Sequence, residues 1–486
     1  MFSKKKRLVI FLLLVCVLAL GLRFVHISAD PLPISFLDTQ DEGLHSYAAR
    51  TFYLTGKWHT DNFFFGLITP VFPPLQLIGL YLFGLHNYAF RFISIVASIA
   101  TIVLLFKFLK KHTHILTAQI AVMSLSVNFY FLVYGRSGLP EATMLFFSLA
   151  SFIIWFETLV SKRYHFVYAF FTGLFLTLAF FTKETSVSLF GVVFSSFLLF
   201  LGIDRERKKY IFICLGVLSG VLVIAALYWI FIVLPNRSLW EFNLLAININ
   251  RTPMRMFLFI PFTIGEIKKY LFGEQWRYLP IQAVGTIVLF IFFIKTLMQR
   301  GIRKLRNNKI LILACLVLLW VIFFSIHVIL MPAKWGRFLI SFTIPMTIAF
   351  SMLFYFNHKK TVRYLLYALL LLDIVYNLSL GYYFILRKPQ YVYLDATKQL
   401  QQIIKKNDLA NLPSHWIMNG NFKTVNTFLI AQNDTGFYAF YHMYGWPKYI
   451  AFSRSQVTRY KADSPLLFSR LRFIKKVYDY DLFQLQ

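Results

Sequence analysis

Negative charge is scarce in this chain. It carries 20 acidic residues against 50 basic ones, a formal net charge of +30, and charged residues of both signs make up only 14% of it. A soluble domain is nearer a quarter charged and half apolar, so a 58% hydrophobic content excludes an ordinary soluble globule. Cysteine is nearly missing as well. Its three residues, Cys16, Cys214 and Cys315, all lie inside apolar runs. That excludes a disulfide framework or a cysteine-held metal cluster and leaves them as small apolar side chains. No internal repeat is present. Nor does the chain gather its basic residues on one face interleaved with aromatics, as nucleic-acid binding requires, so no nucleic-acid partner is expected.

What the chain has instead is apolar runs of about twenty residues, the length that crosses a bilayer as a helix. Spans are expected at 8–27, 88–107, 114–132, 142–160, 165–182, 185–203, 211–234, 278–298, 310–331, 338–356 and 364–386. Alternate connections carry the basic clusters: Lys4 to Arg7, Lys107 to Lys111, Lys162 with Arg163, Arg205 to Lys209, Arg300 to Lys309, and Lys359 to Arg363. By the positive-inside rule these face the cytoplasm, so the basic charge mainly encodes topology. The first run has the basic start and apolar core of a secretory signal. Its core is long, however, and His26-Ile27-Ser28-Ala29 is a poor cleavage site, so it reads as a retained anchor. The expected protein is a multi-pass protein of the plasma (inner) membrane, all-α, with about eleven transmembrane helices. Two parts are expected: a transmembrane unit over 1–387, including a first extracytoplasmic loop over 28–87, and an extracytoplasmic C-terminal part over 388–486.

The first loop contains amphipathic pieces, with Tyr47, Ala48, Phe52 and Leu54 set among Arg50, Thr51 and Lys57, which suit helices lying in the membrane interface. The C-terminal hundred residues become soluble in composition. There Asp395 can cap a helix with Leu400, Ile403 and Ile404 on one face, and TVNTFLIA and YIAF read as short strands. A small α+β appendage is expected.

Against this background an adjacent pair of carboxylates, Asp41 and Glu42, emerges just beyond the first span on the extracytoplasmic side. Such a carboxylate can take a proton from an acceptor hydroxyl or amine. If the donor is a sugar on a polyprenyl phosphate, the leaving group needs cationic stabilisation more than a proton, so one base and a few Lys or Arg residues suffice. Glycosidases differ, because they need a second carboxylate across the sugar. Neighbouring helical residues diverge by about 100°, so the two carboxylates do not address one atom. The alternative is a pair that only stabilises the positive end of a helix.

The residues around the pair resemble the GT-C superfamily of polyprenyl-phosphate-sugar-dependent glycosyltransferases, in the branch of protein O-mannosyltransferases and lipid A aminoarabinose transferases. The resemblance rests on Asp41-Glu42 with His45, Tyr47 and Ala49-Arg50, then Pro73-Pro74-Leu75, Phe83-Gly84 and Arg91. It continues in Tyr134-Gly135-Arg136 to Glu141, Phe181-Thr182-Lys183, and Gly336-Arg337-Phe338 to Pro345. It implies a GT-C helical bundle and a sugar transferase, with a polyprenyl-phosphate sugar as donor, membrane lipids around it and an extracytoplasmic protein, lipid or glycan as acceptor. Asp41 and Glu42 are the implied catalytic residues, with Asp41 as base and Glu42 supporting the acceptor site. Arg91, Arg136, Lys183 and Arg337 are the implied donor-phosphate ligands, and Glu141 the acceptor or metal candidate. No cofactor is implied beyond a divalent ion near Glu141, and no metal ligand set is identified. The chain departs from the family where Lys or His usually precedes Pro-Pro-Leu, because Phe72 stands there. It departs again at Glu141, where Asp is commoner, and at Glu184, where a small residue is expected. A transporter or lipid-linked-sugar flippase would share the composition, but it would place polar residues near midplane in broken, paired spans. One such residue, Asp373, lies inside an apparent span with Asn377 one turn later. It matches no family motif and reads as a bundle hydrogen-bonding residue.

Overall fold

A computed structural model describes residues 10, 14, 17–19, 21–30, 38–59, 65–67, 69–161, 165–204, 206–241, 280–305, 307–330, 339–357, 359–382, 385, 390–412, 421–425, 438, 441–442 and 446–486. Among them, eight helices are long and apolar enough to cross a membrane: Asn87–His112, Glu141–Val160, His165–Thr182, Glu184–Ile203, Arg207–Glu241, Pro280–Gln299, Lys309–Val328 and Lys360–Gly381. Three further expected spans are shorter or partly described. Residues 10, 14, 17–19 and 21–24 of the first are helical, and Ile115–Val127 and Ile340–Phe356 are apolar helices of 13 and 17 residues. The chain is a multi-pass helical-bundle membrane protein. Residues 242–279, which include the start of the expected span 278–298, and residues 331–338 with Arg337 lie outside the described residues.

Close helix approach depends on small residues, as is usual where lipid supplies no hydrophobic drive between helices. Helices His165–Thr182 and Arg207–Tyr228 cross so tightly that a Cβ on Gly173 would lie 2.1 Å from the Val217 carbonyl oxygen, and one on Gly220 2.0 Å from that of Phe170.

The expected single span 114–132 is two helices, Ile115–Val127 and Phe129–Tyr134, broken at Asn128. Backbone N–H groups freed in an apolar bundle must find partners, and two asparagines provide them. The Phe131 N–H donates to Asn128 Oδ1 at 3.1 Å, and the Phe129 N–H to Asn377 Oδ1 at 2.8 Å. Asn377 in turn donates to Asp373 Oδ1, while Ser124 and Gln282 donate to Asp373 Oδ2 at 2.7 and 3.2 Å. Asp373 therefore serves the packing of the bundle, as expected.

Two helices, α1 (Asp38–Thr55) and α2 (Phe72–Phe83), follow the first span. The expectation that such pieces lie half-exposed in the interface is not met by α1, which is buried at every position from Glu42 to Thr51. It is enclosed between the bundle and the C-terminal part. The Tyr47 hydroxyl donates to the Thr424 carbonyl at 3.1 Å, and Arg50 donates to the Phe422 carbonyl at 2.6 Å and to Thr424 Oγ1 at 3.2 Å.

The C-terminal part is α+β, as expected. Strands β1 (Leu409–Asn411), β2 (Lys423–Val425), β3 (Tyr449–Ser453), β4 (Leu471–Val477) and β5 (Tyr480–Leu485) form one sheet in the order β2-β1-β3-β5-β4. β1 runs parallel to β2 and β3, and β5 antiparallel to β3 and β4. YIAF falls in β3. The start of TVNTFLIA falls in β2, while its residues 426–431 lie outside the described residues. Helix Val392–Ile403 begins three residues before Asp395, which sits in its first turn rather than at its cap. The carboxylate that meets this helix end comes from far away. Asp30 accepts the Tyr393 N–H at 3.1 and 3.2 Å, and its own N–H donates to the Gln390 carbonyl. Burial raises the Asp30 carboxyl to about 6, although the helix N–H groups and Arg91 pull it down.

Candidate active site

The two carboxylates of α1 occupy different environments. Asp41 is partly exposed, whereas Glu42 is fully buried. Arg91, near the start of helix Asn87–His112, meets Glu42 as a fork: Nε donates to Oε1 at 2.6 Å and Nη2 to Oε2 at 2.7 Å. The Gly138 N–H donates to the same Oε1. A Cβ on Gly138 would lie 3.0 Å from both Cγ and Oε1 of Glu42, so any larger residue there would press on the Glu42 side chain. Paired, bidentate contacts of this kind fix orientation as well as charge.

Arg91 also reaches the end of the first span, where Nη1 donates to the carbonyls of Ile27 and Ala29. Arg136 does the same one turn earlier, donating to the carbonyls of Leu22 and Val25. Exposed carbonyls at a helix C-terminus attract cations, so two of the four expected phosphate ligands hold the first helix in place. Burial lowers the Arg136 guanidinium to about 10, the neighbouring Arg91 charge adds to this, and Glu42 opposes it. Arg136, Arg91 and Glu42 thus form one electrostatic cluster.

A second pair stands three residues along the same loop. Glu141 opens helix Glu141–Val160 directly after Pro140, where the helix dipole favours a carboxylate. Lys183, in the turn between helices His165–Thr182 and Ser188–Ile203, donates to Glu141 Oε1, and both side chains are buried. Glu141 Oε2 has no hydrogen-bond partner among the described residues. The start of α2 reaches this turn, since the Val71 N–H donates to the Phe181 carbonyl. Phe72 is fully buried and packs edge-on against the His45 ring, with centroids 6.4 Å apart. The position expected to be cationic from the family resemblance is here part of an aromatic contact.

The structure therefore gathers Glu42, Arg91, Arg136, Glu141 and Lys183 around the 135–141 loop, with Asp41 next to Glu42 on α1, while Arg337 lies outside the described residues. Sequence reading passed over the residues that seat Glu42. Gln76 is buried in α2 and its amide nitrogen lies 3.3 Å from both Ser46 Oγ and the Gly138 carbonyl. A Gln within the apolar run FPPLQLIGLYLF is a legible signal for this. Gly138 offered none, because nothing in its local sequence distinguishes it from an ordinary turn glycine. A divalent ion is not supported by these residues alone. No group of three His, Cys, Asp or Glu side chains converges among the described residues, and the Lys183 ammonium already sits on Glu141.

The Dolichyl-phosphate-mannose-protein mannosyltransferase family model matches residues 68–229, about a third of the chain. That segment holds Pro73-Pro74-Leu75, Arg91, Arg136, Glu141 and Lys183. Among solved structures, ArnT from Cupriavidus metallidurans bound to undecaprenyl phosphate is 13% identical, with 99% of this chain and 98% of that chain covered and a TM-score of 0.68. The archaeal oligosaccharyltransferase AglB from Archaeoglobus fulgidus, in complex with an inhibitory peptide and a dolichol-phosphate, is 11% identical. There 100% of this chain and 75% of that chain are covered, with a TM-score of 0.57. No curated protein sequence matches. The fold is the GT-C fold, and the resemblance to polyprenyl-phosphate-sugar-dependent glycosyltransferases read from the sequence stands.

Proposed function

We propose that this protein moves a sugar from a polyprenyl-phosphate donor to an extracytoplasmic acceptor, with Asp41 as general base. The observation that carries this reading is the unequal pair on α1: a partly exposed Asp41 beside a buried Glu42 already held by Arg91 and Gly138. Neighbouring carboxylates placed in different environments can take different roles. Asp41 takes the proton of the acceptor hydroxyl or amine as that atom bonds to the anomeric carbon. The bond from that carbon to the phosphate oxygen breaks, and the polyprenyl phosphate leaves with its charge. Glu42 orients the helix end that presents Asp41, and Arg91 acts as its positioning residue. Lys183 meets the leaving phosphate, with Arg337 as a further ligand, and Arg136 adds positive potential nearby. A preorganised cation in a water-poor site is the largest help such a departing group can receive. The ArnT complex with undecaprenyl phosphate and the AglB complex with dolichol-phosphate support a lipid-phosphate donor.

On this reading residues 1–387 are the transferase unit of a plasma-membrane protein, and residues 388–486 stand on its extracytoplasmic side. Mass spectrometry of the lipid that co-purifies with the protein, and then of products formed from defined polyprenyl-phosphate sugars, tests it. A glycosylated acceptor with released polyprenyl phosphate is expected. Recovery of the donor chemically unchanged on the other side of a vesicle would replace this reading with a transporter.

A further inference from the structure

Between α1 and strand β2 lies a cavity of about 600 Å³, within the usual size of small-molecule sites. One wall is formed by Arg50, Lys57 and His59, and the other by Phe422, Lys423 and Thr424. None of its described lining residues is Asp or Glu. The Arg50 guanidinium is buried in the seam. It donates to the Phe422 carbonyl and Thr424 Oγ1 and lies 5.6 Å from the centre of the Phe422 ring, so both walls are joined through a fixed positive charge. Lys57 and Lys423 are exposed and bring ammonium groups from opposite walls. A concave site with charge of one sign concentrates ligands of the other sign, and Arg suits the planar oxyanions of phosphate and carboxylate.

The cavity also has a fixed distance from the chemistry. Arg50 follows Asp41 by nine residues on one helix, which is about 14 Å of axial rise. We propose that this cavity binds an oxyanion, phosphate or carboxylate, carried by the acceptor about 14 Å from the group that receives the sugar, an assignment that rests on the transferase reading above. An acceptor held at both points loses the freedom that otherwise opposes reaction.

The test is binding, not turnover, so its failure and that of the transferase reading are distinguishable. Full-length protein in nanodiscs of phosphatidylcholine is titrated calorimetrically with glucose 1-phosphate and with glucose. Saturable binding of the phosphate alone is expected, weakening as salt rises and falling at least tenfold in the K57E/K423E variant. Both lysines are exposed, and an unchanged melting temperature verifies that this variant is folded. Equal affinity in variant and parent, or no saturable binding in the parent, would overturn the proposal. The titration is repeated in nanodiscs containing phosphatidylglycerol. Unchanged affinity supports an oxyanion on the acceptor, whereas competition by the anionic lipid would overturn that source in favour of a lipid headgroup.

Discussion

Removing Arg91 separates two accounts of its charge. If it positions Glu42, Arg91→Met leaves a carboxylate buried at 0% exposure without its fork of donors, and strips the carbonyls of Ile27 and Ala29 of theirs. Breaking one side of a buried ion pair typically costs about 3–5 kcal/mol, because the remaining charge stays desolvated. Losing the donor to the buried Ala29 carbonyl adds about 1 kcal/mol or more, and the part-buried Ile27 carbonyl adds less. The melting temperature of detergent-solubilised Arg91→Met should therefore fall well below the parental value. Adding Glu42→Gln removes the stranded charge, so the double variant should recover a large part of the loss while remaining inactive. Groups in one network show this non-additivity, whereas independent ones do not. A parental melting temperature in an inactive Arg91→Met would refute the positioning role and return Arg91 to the donor phosphate.

Lys183→Met removes the cation proposed to meet the leaving phosphate, and turnover should fall about a hundredfold, the usual effect of losing one such donor. Transfer at the parental rate would place the phosphate site elsewhere. For Asp30, the folded carboxyl near 6 against an ordinary 3.8 binds a proton more readily than the undocked form. Docking of helix Val392–Ile403 is therefore strongest below about pH 4 and weakens as pH rises through 6. Hydrogen exchange of that helix, corrected for its intrinsic pH dependence, should show this trend in the parent and lose it in Asp30→Asn.

The bundle was legible because lipid demands about twenty apolar residues per span, and that demand leaves a mark in one dimension. What escaped depends on partners remote in sequence. The break at Asn128 is stabilised by Asn377, and nothing near residue 128 announces it. The burial of α1, including Arg50, requires strand β2 more than 370 residues later. Helix Val392–Ile403 takes its terminal carboxylate from Asp30, so the nearest carboxylate in sequence, Asp395, is not the one at its cap. At the site, the family motifs led to the residues but not to their pairing. Arg91 with Glu42, and Lys183 with Glu141, are contacts across 49 and 42 residues that charge type alone does not assign.

Asp41, and not Glu42, is the residue proposed to remove the acceptor proton. The most direct measurement is the rate at which polyprenyl phosphate is released from a defined polyprenyl-phosphate sugar by Asp41→Asn, with donor binding measured on the same preparation. Asparagine keeps the shape and removes the basicity, so release should fall by about two orders of magnitude or more while donor affinity stays near the parental value. Release at the parental rate in Asp41→Asn would contradict the account.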